Sequence, residues 1–301
     1  MNTTLSRREF LACTALATAA LAAPGVAPAA PGKPANKIIA FSKPFQTLSY
    51  SDAADLVADV GWDGIECPVR AKGQIEPAKA EDELPKLVEA LKKRNLELSI
   101  MTTDIRNAAA PLTQKVLRTA SKLGIKRYRL TFWKYDTSKP LPPQLNEIRA
   151  ELRDLAALNK ELGLQAGFQN HSGANYVGAP VWDVYHMIED LDPKHMGFCF
   201  DIGHATLEGG MSWPIEARLV EPRLTAVYVK DFYWNKTDKG WVAKWCPLGD
   251  GMVNKNFFKT LQTMGYTGPI SQHHEYKELG TGKEMMANFK KDLAVLKQWV
   301  G

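Results

Sequence analysis

Short apolar runs alternate with longer amphipathic stretches between residues 37 and 301 of this 301-residue chain. In the amphipathic stretches, apolar side chains recur at steps of three and four residues, as at Leu84, Leu87, Val88 and Leu91, which is the spacing of one helix face. The apolar runs are short and are typical of parallel strands that are buried on both faces. The pattern predicts strands at Lys37–Phe41, Asp63–Cys67, Leu96–Met101, Lys126–Thr131, Leu164–Gln169, Met196–Asp201, Thr225–Lys230 and Pro269–His274.

Helices are predicted between these strands and after the last one, at Asp52–Val60, Glu83–Arg94, Pro111–Leu123, Pro143–Leu162, Val181–Leu191, Ile215–Glu221, Asn256–Met264 and Lys283–Trp299. Strands that alternate with helices pair in parallel through right-handed crossovers, and eight such units close into a barrel. An open doubly wound sheet would favour a glycine-rich phosphate loop after the first strand, and Ser42-Lys43-Pro44-Phe45 is not one. We therefore predict an α/β fold, a single-domain (β/α)8 TIM barrel, over residues 37–301.

The longest irregular stretch runs from Asp231 to Asn254, directly after the seventh predicted strand. It contains Trp234, Trp241 and Trp245 and ends in a glycine-rich turn. An aromatic loop at a strand end suits a lid or a wall on which a sugar ring stacks. The alternative interpretation is a hairpin that packs on the rim of the barrel.

The first residues of the chain carry a targeting signal. Ser6-Arg7-Arg8-Glu9-Phe10-Leu11 precedes a moderately apolar run that ends in Ala27-Pro28-Ala29, a pattern typical of a bacterial twin-arginine export signal. We predict a signal peptide over residues 1–29, a short linker over 30–36, and a periplasmic or secreted mature protein. No other run approaches the ~20 apolar residues of a membrane span, so no stable membrane association is expected.

The charge of the chain limits the classes of binding partner, and its cysteines indicate the state of its thiols. The formal net charge is +5 with scattered basic residues, and a Lys/Arg block that could follow a phosphate backbone is missing, so nucleic acid is not expected as a partner. The cysteines beyond the signal are Cys67, Cys199 and Cys246. Buried free thiols are the prediction, and a single disulfide is the alternative in an oxidising compartment.

Polar side chains cluster where the predicted strands end, which is where the active site of a (β/α)8 barrel forms. These residues are Lys43, Glu66, Arg70, Asp104, Arg129, Gln169, His171, Asp201, His204, Lys230, Asp231, His273, His274 and Glu275. Residues two apart on a strand point the same way, so Gln169 and His171 are expected to share a direction, as are His273 and Glu275. The same alternation sends only one of His273 and His274 inward, and we expect this to be His273.

Several of these residues also have structural interpretations. Glu66 ends a buried strand and could simply pair with Arg70, and Lys230 could form a structural salt bridge. Asp201 could cap a helix, although Gly203 and the residues beside it predict none there. Asp231 is expected to face outward and to tie down a loop.

The chain resembles the xylose isomerase-like barrels, which include sugar-phosphate isomerase/epimerases, inosose dehydratase-like enzymes and the abasic-site endonuclease. The motifs that carry the resemblance are Gly61-Trp62-Asp63-Gly64-Ile65-Glu66, Phe200-Asp201-Ile202-Gly203-His204-Ala205, Val229-Lys230-Asp231, and Pro247-Leu248-Gly249-Asp250-Gly251 before Gly265-Tyr266-Thr267-Gly268-Pro269-Ile270. In that family, Glu, Asp, His and Glu at the ends of the last four barrel strands commonly hold a divalent metal that stabilises an enediolate. The corresponding residues here are Gln169, Asp201, Tyr228 and His273, so only Asp201 keeps the family's residue.

The resemblance implies an isomerase, epimerase or lyase that abstracts a proton next to the carbonyl of a keto-sugar or related polyol, and the twin-arginine signal adds that it is exported. Among the strand-end residues, Glu66, Lys230, His273 and Glu275 are predicted to be catalytic. A divalent metal (Zn, Mn or Mg) would be held by Gln169, Asp201, His204 and His273. Alternatively, His171, Asp201, His204 and His273 would form a nitrogen-rich site suited to zinc. Substrate contacts are expected from Lys43, Arg70, Arg129, His171, Tyr228 and Trp245.

Two alternatives stay open at this point. The metal could be lost, which would leave Lys230, His273 and Glu66 as acid, base and electrostatic clamp. The protein could also be a non-catalytic sugar-binding barrel with a degraded metal site. A phosphodiesterase is disfavoured because that chemistry needs a cluster of metals with many His and Glu ligands.

Overall fold

Eight parallel strands close into a barrel in the computed structural model, which describes residues 36–301. The strands are β1 Ile38–Phe41, β2 Gly64–Val69, β3 Glu97–Thr103, β4 Arg127–Arg129, β5 Gln165–Gln169, β6 Met196–Asp201, β7 Leu224–Val229 and, last in the barrel, β10 Ile270–Gln272. Each barrel strand pairs with the next barrel strand along the chain, and β1 closes the ring against β10, with Ile38 opposite Ile270. This arrangement confirms the predicted single-domain (β/α)8 barrel. The predicted signal peptide over residues 1–29 lies outside the described residues.

Helices connect the strands and cover the outside of the barrel. They are α1 Tyr50–Val60, α2 Ala80–Lys93, α3 Pro111–Leu123, α4 Leu141–Leu162, α5 Val181–Ile188, α6 Ile202–Gly209, α7 Trp213–Val220, α8 Asn256–Thr263 and α9 Gly282–Val300. Short 3-10 turns occur at Lys43–Phe45, Pro77–Lys79, Gly210–Ser212, Glu221–Arg223 and Lys277–Leu279. Helix α1 illustrates how local sequence sets the ends of a helix. The Ser49 side chain accepts the Asp52 N–H at its start, and Gly61, at φ 96°, ends it.

The barrel interior is filled by side chains below the mouth. Ile39, Ile100, Cys199, Ala226 and Tyr228 form a buried cluster apart from the main core between strands and helices. Space there is tight, since a Cβ atom on Gly167 would lie 2.2 Å from Cys199 Sγ. Cys67, Cys199 and Cys246 are buried free thiols, as the sequence predicted.

Two segments refine the sequence-based prediction. Helix α6 begins directly after Asp201, where no helix was expected, and Asp201 is its N-cap residue. The stretch after Lys230 forms a two-stranded antiparallel hairpin, β8 Asp231–Thr237 and β9 Gly240–Cys246, as the hairpin alternative predicted. Stacking of a sugar on its tryptophans stays a prediction. In the described part of the chain, no helix combines the length and apolar character that crossing a bilayer requires.

Candidate active site

A cavity of about 110 Å³ opens where the barrel strands end at their carboxyl termini. It is lined by Phe41, Lys43, Arg70, Arg129, Phe132, Gln169, His171, Lys230, His273 and Glu275. All of these except the two phenylalanines are strand-end candidates from the sequence, so the structure brings residues that are distant in the chain to one mouth. Phe41 and Phe132 carry no chemical signal in the sequence, and only the folded barrel identifies them as part of the wall.

Asp201 is the central acceptor beneath this cavity. Its side chain has no exposed surface, and its Oδ1 accepts the His204 backbone N–H at 3.0 Å as the cap of α6. Its Oδ2 accepts the Gln169 Nε2 amide at 2.8 Å and lies 3.3 Å from Lys230 Nζ. Both carboxylate oxygens are therefore already engaged by donors of this chain.

Gln169 links Asp201 to a buried guanidinium. Its Oε1 accepts a hydrogen bond from Arg129 Nη1 at 3.2 Å while its Nε2 donates to Asp201. The orientation follows from the neighbours, because an arginine can only donate and an ionised carboxylate can only accept. A neutral amide suits this position, whereas a glutamate would place a second negative charge against Asp201.

Lys230 supplies a fixed positive charge at the cavity floor. Its residue is 4% exposed, and its Nζ lies 3.0 Å from Glu275 Oε2 as well as near Asp201. Burial alone lowers the pKa of Lys230, but the charges of Asp201 and Glu275 outweigh it and hold that pKa above its usual value. The ring of Trp245 lies 4.7 Å from Nζ and shields it from solvent. The ammonium is therefore charged and held in place at neutral pH.

A second carboxylate, Glu66, lies behind His273. Glu66 has no exposed surface; its Oε2 contacts His273 Nε2 at 2.9 Å and accepts Ser271 Oγ–H at 2.6 Å, while its Oε1 accepts the Thr102 hydroxyl. Burial raises the pKa of Glu66, but the charge and hydrogen bond of His273, with the two hydroxyl donors, bring it below its usual value. Arg70, the partner considered from the sequence, does not contact this carboxylate within the described residues.

The Glu66 contact fixes the tautomer of His273. A carboxylate only accepts, so Nε2 carries the proton, and Nδ1 holds the lone pair in the neutral ring. The ring is clamped between Phe41, at 4.5 Å between centroids, and Tyr228, at 4.7 Å. Nδ1 has no hydrogen-bond partner in residues 36–301, and His273 lines the cavity. His274 points to the other side, against Trp62 and Phe289, as alternation predicted.

Several predicted site residues lie beside the cavity and do not line it. Tyr228 is fully buried beneath His273, which contradicts the predicted substrate contact. Trp245 covers Lys230 from the hairpin. Asp104 accepts the Ala71 N–H and so holds the loop after β2.

His171, after β5, and His204, after β6, pack on each other. Their ring centroids are 4.0 Å apart, and His204 Nδ1 contacts Ser172 Oγ at 2.8 Å. Burial, followed by the positive charge of Lys230, lowers the pKa of His171 to about 4 and that of His204 well below its usual value. Both rings are therefore neutral at physiological pH. Only His171 reaches the cavity wall.

The donors present do not fit a divalent metal. A hard cation needs several oxygen ligands, and the only carboxylate in the predicted set, Asp201, faces the Lys230 ammonium and an amide N–H. In the nitrogen-rich alternative, His273 Nδ1 and His204 Nε2 are open within residues 36–301, but Asp201, the carboxylate that they would share, is engaged by Lys230 and Gln169. Within residues 36–301, no three His, Cys, Asp or Glu side chains are grouped as metal ligands. The predicted set of Gln169, Asp201, His204 and His273 is therefore corrected: it forms a hydrogen-bonded network around a lysine.

The fold and the position of the site define a TIM barrel with a polar centre at the carboxyl end of its strands. Residues 54–299 match the family model described as xylose isomerase-like TIM barrel, and the chain belongs to this family. No curated protein sequence matches the chain.

Solved structures share the fold at low sequence identity. The 3-keto-D-glucoside 4-epimerase YcjR from E. coli superposes with a TM-score of 0.68 at 14% identity, covering 87% of this chain and 99% of that one. The D-allulose 3-epimerase from Methylomonas sp., solved with D-allulose, has a TM-score of 0.65 at 16% identity, covering 87% and 96%. At such identity these likenesses show the barrel fold.

Proposed function

We propose that this protein is a carbohydrate isomerase or epimerase, or a lyase, that works by removing a proton next to a carbonyl group. The observation that carries the proposal is the joint presence, on one cavity, of a carboxylate-bound histidine and a buried, charge-paired lysine. Membership in the xylose isomerase-like family and its sugar-epimerase structural neighbours support the substrate class.

In this proposal His273 is the base. Its Nε2–H is directed at Glu66, so Nδ1 takes the proton from the substrate carbon, and Glu66 stabilises the imidazolium that results. The electron pair of the broken C–H bond moves toward the carbonyl carbon, and the carbonyl oxygen becomes negatively charged. Within residues 36–301, the Glu66 carboxylate hydrogen-bonds only to the buried side chains of His273, Ser271 and Thr102, so Glu66 is a positioning residue.

Lys230 stabilises the developing oxyanion. A preorganised cation in a site shielded from water lowers the free energy of an enediolate without reorganisation during the reaction. Asp201 and Glu275 keep the ammonium charged and fixed in place. Proton return to the same carbon from the other face gives epimerisation, return to the neighbouring carbon gives isomerisation, and loss of a β-substituent gives the lyase reaction.

The proposal is tested by following solvent-deuterium incorporation into keto-sugars by proton NMR. We expect exchange by the wild type, a loss of at least about 10²-fold in His273→Gln, and a similar loss in Lys230→Met. His186→Gln, which changes an exposed histidine on α5, is the matched control and should keep full exchange. Circular dichroism and melting temperature check that each variant folds.

Two results would overturn the assignment. Exchange that survives both site substitutions would place the chemistry elsewhere. Sugar binding without any exchange in the wild type would identify the alternative, a non-catalytic sugar-binding barrel.

We also propose that the protein is exported by the twin-arginine route, which the Ser6–Leu11 motif supports. Replacing both Arg7 and Arg8 by Lys should retain the full-length chain in the cytoplasm. Normal export of that double variant would exclude this route.

A further inference from the structure

We infer that the sugar taken by this site carries an anionic group, a carboxylate, that binds between Arg70 and Arg129. The inference deepens the proposed function by naming the substrate class, and it depends on the proposed location of the site but not on the reaction. Its basis is the charge balance of the cavity wall.

The charged side chains around the cavity do not pair off evenly. Lys230 is matched by Asp201 and Glu275, and Lys43 lies 3.9 Å from Glu275 Oε1. Glu66 is held by hydrogen bonds from His273, Ser271 and Thr102. Arg70 and Arg129 remain, and neither has a carboxylate oxygen within 4 Å in residues 36–301. The wall therefore presents two guanidinium groups without a negative partner.

Arg129 is the stronger indicator because it is buried. The residue is 3% exposed, and Gln169 Oε1 is the only acceptor that its guanidinium contacts in the described part of the chain. The guanidinium carbon Cζ lies 4.4 Å from the centroid of the Phe132 ring, so this ring supports the group from one side. Burying a charge without a counter-charge is costly, so this arrangement indicates that a ligand supplies the missing anion.

Arg70 reinforces the inference because it lies near a like charge. Burial, followed by the charge of Arg129, lowers the pKa of Arg70 despite the opposing effects of Asp104, Glu66 and Glu275. Asp104 itself is held by the Ala71 N–H at 3.0 Å. Two guanidinium groups that repel each other across a cavity are stabilised by an anion between them, and the arginine fork matches a carboxylate in geometry.

The position in the barrel fits a bifunctional substrate. In the strand order, β4, which carries Arg129, lies opposite β10, which leads into His273. An acidic sugar bound with its carboxylate on the β4 side would extend its carbonyl end toward His273 and Lys230. The arginines then fix orientation and substrate choice, and the base and the ammonium act at the other end.

The test compares acidic sugars with their neutral parents by isothermal titration calorimetry at low salt. The pairs are D-glucuronate with D-glucose, D-galacturonate with D-galactose, and D-gluconate with D-glucitol; D-glucose 6-phosphate distinguishes a phosphate from a carboxylate. We expect at least one acid to bind about tenfold or more tightly than its neutral parent. Arg129→Gln and Arg70→Gln should each remove this preference.

Two further variants separate the effect of charge from that of geometry and control for changes elsewhere on the rim. Arg129→Lys retains the charge but not the fork, and we expect it to keep only part of the preference. Arg106→Gln changes an arginine on the same rim that stacks on Trp133 and does not line the cavity, so it should bind like the wild type.

The inference is overturned if no acid is preferred over its neutral parent, or if the preference survives Arg129→Gln and Arg70→Gln. Tighter binding of the phosphate would overturn the carboxylate assignment. Deuterium exchange on neutral keto-sugars without any preference for acids would sustain the proposed function alone. Binding of acids through both arginines without exchange would sustain the inference alone.

Discussion

At the residue scale, Glu66 shows how a buried charge is used to direct a neighbour. Its carboxylate has no exposed surface, so its free energy depends on the donors around it: Thr102, Ser271 and His273. These donors offset the cost of burying the charge and at the same time fix one ring nitrogen of His273. The charge pairing of Lys230 with Asp201 and Glu275 follows the same principle on the other side of the cavity.

Replacing Glu66 by Gln tests this positioning role. An amide places an N–H₂ group against hydroxyl and imidazole donors, so we expect a loss of stability of roughly 1–3 kcal/mol. We also expect kcat for deuterium exchange to fall by at least about tenfold with a shifted pH profile, because the tautomer of His273 is no longer fixed. The measurements are urea unfolding and exchange rates across pH.

Glu97→Gln serves as the control for this prediction. Glu97 begins β3, at the end of that strand away from Thr102, and contacts Ser99 and Lys37 at the surface. It should leave the pH profile of exchange unchanged. A Glu66→Gln enzyme with the wild-type pH profile and kcat would show that Glu66 has only a structural role.

The sequence located the strand-end residues but not their contacts. Glu66 was singled out because a carboxylate ending an apolar strand is unusual, yet its partners Ser271 and His273 lie 205 and 207 residues away. Only closure of the barrel brings β2 and β10 close enough for this contact. Ser271 could have been recognised, because it lies two residues before His273 and so shares its face.

At the element scale, the carboxylate of Asp231, at the start of β8, holds the loop that follows the hairpin β8–β9. Asp231 is 2% exposed; its Oδ2 accepts the N–H groups of Gly249 and Gly251, and its Oδ1 accepts that of Val253. The anchor leaves no room for a side chain at residue 251, since a Cβ atom there would lie 2.3 Å from Asp231 Oδ1. The hairpin in turn holds Trp245 over Lys230.

We expect Asp231→Asn to loosen this anchor. One of its two oxygens becomes an amide donor that faces backbone N–H groups, which should cost roughly 1–3 kcal/mol of stability. Hydrogen exchange of the amides over residues 247–253 should accelerate. Asp238→Asn, at the exposed turn of the hairpin, is the control and should leave these rates unchanged. Equal protection of residues 247–253 in Asp231→Asn and wild type would contradict the anchoring role.

Helix α7 contains a carboxyl group that should make stability depend on pH. Glu216 is 7% exposed, and burial raises its pKa from the ordinary 4.5 to about 7. The folded chain therefore binds more protons than the unfolded chain between these values. The stability from this group is complete below about pH 4.5 and is lost as the pH rises through about 7.

The matching experiment is Glu216→Gln, with unfolding measured by urea at several pH values. We expect the variant to lose less stability than the wild type between pH 4.5 and 7, with a difference on the order of 1 kcal/mol. Glu147→Gln, an exposed position on α4, should follow the wild type. A Glu216→Gln curve parallel to the wild type would show that burial does not perturb this carboxyl group.

Helix α6 shows why one element escaped prediction. It is short, and Gly203 and Gly209 lower its intrinsic helix propensity. Its start is fixed by tertiary contacts, because Asp201 caps it while also binding Gln169 and Lys230. The sequence offered capping and site chemistry as alternatives for Asp201, and the structure shows that the same carboxylate caps the helix and takes part in the site network.

At the scale of the whole molecule, the barrel was predictable because its strands are buried on both faces and read as short apolar runs. The helix-ending glycines, such as Gly61 and Gly163, marked the repeat. The electrostatic character of the site was not predictable, because it depends on which donors reach Asp201. The family's metal positions were altered in sequence, and only the fold shows that the ammonium of Lys230 lies beside that carboxylate.

The conclusion that the donors around Asp201 do not fit a divalent metal is tested most directly by the metal content of the purified protein after incubation with Zn²⁺, Mn²⁺ or Mg²⁺ and dialysis. We expect less than about 0.1 equivalent per chain and no change in melting temperature on adding a chelator, because Lys230 and Gln169 already satisfy Asp201. One equivalent of metal that is retained by the wild type and lost in Asp201→Asn would contradict this structure of the site.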